Sequence, residues 1–197
     1  MALAALHGPG AGRGAVSVRL ALAELHVPAA VRRRGLVELV ERTARAFEVP
    51  APDVGGETLE GLLHRFARFT REQAGRALAS PAQAARARER LRLEAREFGL
   101  ALRGRLGVRS RPEAMRAARV LYRMLDIDLS ASLTGSITVR SCAFAATYGC
   151  DTCALMAAMD EGLFAGLVGE GRLEFATRLT EGAERCVAFF TFEDEPR

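Results

Sequence analysis

All four cysteines of this 197-residue chain fall between Cys142 and Cys186, and none occurs before them. Two form a Cys-x-x-Cys, Cys150-Asp151-Thr152-Cys153, at what reads as the start of a helix. There, free amides and the helix dipole favour a thiolate near neutral pH. Asp160 follows Cys153 by seven residues, two helical turns along the same face, so a thiol and a carboxylate would share one wall. Tyr148, one of two tyrosines, adds a phenol just ahead of the pair. Such a set suits nucleophilic or acid–base chemistry on a small molecule. Four thiols also suit zinc, with Cys142, Cys150, Cys153 and Cys186 as ligands, although their spacing departs from a two-knuckle zinc ribbon. The plainest alternative is that they are small buried hydrophobes.

Histidine, the usual partner of a catalytic thiol, is confined to His7, His26 and His64 in the N-terminal part. His64 sits among the core-type positions Leu62, Leu63 and Phe66 and would either face inward or occupy a partly exposed helix position. Gly162, Gly166, Gly169 and Gly171 have no Lys-Ser/Thr partner and read as packing and capping positions, not as a phosphate loop.

The elements that must hold these residues fall into two textures. From 16 to 125 the pattern is helical almost throughout, with helices expected at 28–47, 58–78, 81–106 and 110–125. Their apolar residues recur at helical spacing, as in Leu59, Leu62, Leu63, Phe66 and Phe69. Pro28, Pro81 and Pro112 are placed as first-turn prolines. The texture then changes to β: a strand over 137–144, a helix capped by Asp151 or Thr152 and running to Val168, and two strands over 173–180 and 185–192. The fold class predicted is α+β, a mostly helical N-terminal region packed on a small C-terminal β-α-β-β module, with a cysteine-lined pocket between them. The corresponding division is a flexible N-terminus at 1–15, the helical region at 16–128 and the cysteine-bearing module at 129–197.

Composition narrows the partners. The net charge is +4, but all 28 basic residues are arginine, and the Arg, Ala and Gly bias is that of a GC-rich, bacterial type of coding sequence. Arg and Glu alternate along 86–94 as on a solvated, ion-paired helix face, and no aromatic-and-basic interleaving accompanies them, so nucleic acid is not expected. No apolar run approaches the roughly 20 residues of a membrane helix. The Ala/Gly/Pro-rich start is a poor secretory signal, which leaves a cytoplasmic protein with reduced thiols as the expectation. The long helix at 81–106 would serve as a dimerisation element, in a homodimer, or as a signalling element.

Taken together, residues 142–190 resemble the L-2-amino-thiazoline-4-carboxylic acid hydrolase family. The matching elements are Cys142 ahead of Phe144, a helix bearing Cys153, Asp160 and Gly166, a Thr-x-Gly at Thr180 and Gly182, and a Gly-x-x-x-Cys-x-x-Phe at Gly182, Cys186 and Phe189. The resemblance implies hydrolytic opening of a thiazoline C=N/C–S unit to a carbamoylated cysteine, with no cofactor. Cys142, Cys153, Asp160 and Cys186 would be the catalytic positions. Either Cys153 attacks the ring carbon or Asp160 activates water, while Arg140 or Arg178 holds the substrate carboxylate and Tyr148 helps bind. The same ending is similar to 4-vinyl reductase-type domains, which implies a non-enzymatic sensor or carrier for a small hydrophobic ligand, sometimes with metal.

Overall fold

The structure, a computed structural model, describes residues 17–193, so the extension expected at 1–15 lies outside the described residues. Five helices come first: α1 (Val18–Leu25), α2 (Ala29–Ala46), α3 (Leu59–Leu78), α4 (Pro81–Leu106) and α5 (Arg111–Met124). Strands β1 (Ile127–Ala131) and β2 (Ser136–Cys142) follow, then α6 (Cys150–Val168), β3 (Gly171–Thr177), a short 3-10 turn (Leu179–Glu181) and β4 (Cys186–Phe192). The four strands form one antiparallel sheet in the order β1-β2-β4-β3. The α+β class and the order of helical region before sheet module are those expected from the sequence.

The module carries one strand more than the sequence pattern suggested. Leu125 and Asp126 close α5, Asp126 with a left-handed φ of 54°, and β1 begins at the next residue. Ile127 and Leu129 then point inward while Asp128 is exposed, the alternation of a half-buried strand. The module is therefore β-β-α-β-β, two hairpins joined through α6, with β4 inserted beside β2.

Helix starts follow local chemistry. Thr58 caps α3 by accepting a hydrogen bond from the Gly61 amide at 3.0 Å. Ser110 and Glu113 form a capping box at the start of α5, and Glu113 also accepts from the Ser17 and Arg109 amides, which ties the chain ahead of α1 to α5. Helix α6 departs from expectation at its start: Gly149 holds the cap position, Asp151 lies in the first turn, and Thr152 is buried.

Helix α6 is largely apolar with no continuous polar face, as a helix packed on more than one side must be. It lies between α4 and the sheet, where Phe164 packs 5.7 Å from Phe190 of β4. Gly162 and Gly166 let its backbone approach α4 directly. A Cβ at Gly162 would stand 2.1 Å from the Arg92 carbonyl oxygen, and one at Gly166 2.2 Å from that of Arg96. Among the described residues no helix is long and apolar enough to cross a membrane.

This packing makes two glycines behave oppositely. Gly162→Ala must push α4 and α6 apart and should cost about 1–3 kcal/mol in denaturant unfolding. Gly75→Ala, on an open face of α3 with nothing near its Cβ position, should gain up to about 1 kcal/mol from helix propensity. Equal effects at the two sites would contradict the close approach.

Candidate functional site

A cavity lies where the helical region meets the sheet module. Its walls come from α2 (Leu39), α3 (Phe66), the end of α5 (Leu125), β1 (Ile127), the loop after β2 (Phe144, Ala145, Tyr148), α6 and the turn before β4. Its volume is about 100 Å³. Three of the four cysteines, Cys142, Cys153 and Cys186, line it together with Asp160. The seven-residue spacing of Cys153 and Asp160 on α6 thus places both on one wall, as helical periodicity requires.

Cys150 is set apart. As the first residue of α6 it is exposed, and its thiol donates to the Thr180 carbonyl at 3.0 Å. The four-thiol zinc set is therefore not assembled: among the described residues, no group of three or more His, Cys, Asp and Glu side chains is arranged to hold a metal ion. The helix start also does not produce the expected thiolate at Cys153. Burial pushes that thiol up, with the Thr180 side chain pulling the other way. Burial likewise raises Cys186, against the Leu179 amide that donates to its sulfur at 3.3 Å, and raises Cys142 to about 12. In an apolar wall the neutral S–H is the favoured form.

Asp160 carries the one carboxyl of the lining. It is half-buried and lines the cavity. Burial raises it to about 6, while a hydrogen bond from Tyr122 and the charge of Arg178 pull it down. Tyr122 donates its hydroxyl to Asp160 Oδ1 at 2.6 Å from a fully packed position on α5. Sequence reasoning passed over this tyrosine. It lies 38 residues from its partner and next to the small-residue stripe of α5, and its only signal was that the chain has just two tyrosines. The other, Tyr148, does line the cavity. Thr70 gives its own proton to the Phe66 carbonyl at 2.8 Å, so at their 2.5 Å contact the Tyr148 phenol is the donor to Thr70. Its ring stacks on Phe144 at 5.5 Å, and Phe66 meets Phe144 edge-on at 5.8 Å.

The two candidate arginines diverge. Arg140 is exposed on β2, where it pairs with Asp128 at 3.5 Å, and it does not reach the cavity. Arg178 stands close enough to act on Asp160, Cys153 and Cys186 but is held outside the lining. It pairs with Glu181 at 3.0 Å and lies 4.8 Å over the Phe175 ring, and its buried Nε has no hydrogen-bond partner. His64 is exposed on α3, its Nδ1 3.2 Å from the Glu60 carbonyl oxygen, so of its two alternatives the outward one holds. A scan of protein-family models and searches of curated proteins and solved structures found no match to this chain.

Two outcomes follow from these surroundings. Iodoacetamide near neutral pH should label Cys150 first and Cys142 last, as read by peptide mass spectrometry, and fast labelling of Cys142 would contradict its enclosure. The second concerns Asp160. Its folded-state proton affinity exceeds the ordinary value of 3.8, so folding takes up a proton between about pH 4 and 6 and stability falls as pH rises through that window. Glu24, Glu38, Glu89 and Glu113, held low by arginines or backbone amides, lose their stabilisation only as pH falls below 4.5. Between about pH 4.5 and 6.5 the wild type should therefore lose roughly 2 kcal/mol that Asp160→Asn does not lose. Parallel pH profiles in urea unfolding would refute the assignment.

Proposed function

We propose that this chain binds a small, largely apolar molecule in the cavity, with Asp160 at the polar end of the ligand. The observation that supports this reading best is the lining. Apart from Asp160 and the Thr180 hydroxyl, it consists among the described residues of apolar side chains, an engaged phenol and three thiols that burial keeps protonated. Apolar walls with a few convergent polar groups are the usual make-up of a small-molecule site, where apolar contact gives affinity and the polar groups set orientation. A ligand sensor or carrier of the kind implied by the 4-vinyl reductase likeness fits this description without metal. A thiolate nucleophile fits less well, because among the described residues no lining thiol is hydrogen-bonded to a base, and neither His26 nor His64 lines the cavity.

A second reading keeps the hydrolase, and Asp160 is what favours it. A carboxyl that titrates near 6 is matched to general-base work close to neutral pH. In that reading Asp160 takes a proton from water as the water oxygen adds to the thiazoline C=N carbon. Asp160 passes that proton to the ring nitrogen, and as the added hydroxyl becomes the carbonyl the ring C–S bond breaks and the hydroxyl proton goes to the departing sulfur. Arg178 would have to leave Glu181 to hold the substrate carboxylate.

The chain has no tryptophan, so binding can be followed with the neutral fluorophore N-phenyl-1-naphthylamine. Saturable one-to-one binding is expected, weakened at least roughly tenfold in Met156→Trp, which fills the cavity, and kept in Met156→Leu. Binding that does not saturate, or that ignores Met156→Trp in a folded variant, would sink the reading. Ring opening of 2-aminothiazoline-4-carboxylate that disappears in Asp160→Asn would move the conclusion to the hydrolase.

A further inference from the structure

We infer that the ligand of this cavity is an organic monocation, a protonated amine or quaternary ammonium on a compact aromatic body, with its positive charge resting against Asp160. The inference rests on the binding role proposed above and adds the chemical class of what is bound.

Charge comes first. Among the described residues that line the cavity, Asp160 alone carries a formal charge. The ionisable groups that face it are Tyr122 from α5, Cys142 from the end of β2, Tyr148 from the following loop, Cys153 from α6, Arg178 after β3 and Cys186 from β4. Burial favours the neutral form of each of the thiols and phenols. The one cation, Arg178, is already compensated by Glu181 at 3.0 Å and covered by Phe175. The carboxylate of Asp160 is thus the uncompensated charge of the site. An anionic ligand would meet it without a counter-ion, and a zwitterion would need a second cation that the lining lacks.

Unmet bonding capacity points the same way. Tyr122 occupies Oδ1, whereas among the described residues no hydrogen bond reaches Oδ2. Asp160 is half-buried, so a ligand that displaces water from the free oxygen must bring a donor or a cation in its place. The third observation is the shape and softness of the walls. The stacked Phe144 and Tyr148 rings, Phe66 and the thioethers of Met156 and Met159 line the cavity with aromatic carbon and polarisable sulfur. Both favour a cationic head on a flat apolar body over a neutral aliphatic one.

The test is displacement of N-phenyl-1-naphthylamine from the wild-type protein by compounds of closely matched size and three charges: phenethylammonium, 2-phenylethanol and phenylacetate. The cation should displace the dye at least roughly tenfold more tightly than the alcohol, and phenylacetate least well. Below about pH 6 its affinity should fall by up to about tenfold per pH unit as Asp160 takes up a proton, and above that it should level off. In Asp160→Asn the preference and the pH dependence should vanish. Displacement by the wild type that is blind to charge, or best with phenylacetate, would overturn the monocation and leave the cavity reading standing. Failure of the dye itself to bind would overturn both. The wild-type charge series decides the question even if the variant does not fold.

Discussion

Everything in the C-terminal half depends on how closely α6 can approach α4. Two glycines one turn apart on α6, Gly162 and Gly166, face backbone of α4 at Arg92, Arg96 and Gly99, where any side chain would collide with carbonyl oxygens. The helix can then be enclosed by α4 on one side and the sheet on another, which is why its sequence shows no polar face. Enclosure fixes the rotation of α6 about its axis. Once Gly162 and Gly166 face α4, the wall carrying Cys153, Met156, Met159, Asp160 and Leu163 faces the cavity at the junction with α2, α3 and α5. The site is thus a consequence of packing, set by residues that touch no ligand.

The same enclosure determines the chemistry. Taking thiols out of water favours their protonated form, so the cysteines serve as soft, neutral wall and not as nucleophiles in waiting. Taking a carboxyl out of water has the same sense, but Tyr122 and Arg178 resist it, and the outcome is a group that titrates close to neutrality. Folding then keeps one polar group in an apolar wall at some cost in stability above pH 6, a local conflict of the kind expected at a functional position. Tyr122 holds that group in place from α5, which links the helical region to the sheet module at the level of the site itself.

Much of this could be read from the residues. The long helices, the change to β texture near 130 and the helix after the Cys-x-x-Cys announce themselves through apolar period and caps, and the shared face of Cys153 and Asp160 follows from helix geometry alone. Strand β1 was harder to see, because five residues with two inward apolar side chains begin directly after a left-handed turn and leave no loop signal. The separation of Cys150 from the other thiols depends on where α6 begins: starting at Cys150 leaves that residue at the exposed rim, while Cys153 is carried one turn inward. The resting of Tyr122 on Asp160 and the outward position of Arg140 are long-range facts, created by how α5 and the sheet meet α6, and no local pattern encodes them.

The most direct measurement of the central claim is a carboxyl carbon NMR titration of Asp160, assigned by its loss in Asp160→Asn. A desolvated carboxyl held by Tyr122 in an apolar cavity should titrate with a midpoint near 6. A midpoint at the ordinary value of 3.8 or below would place Asp160 in water or against a strong cation, and would contradict the account of the cavity on which the function rests.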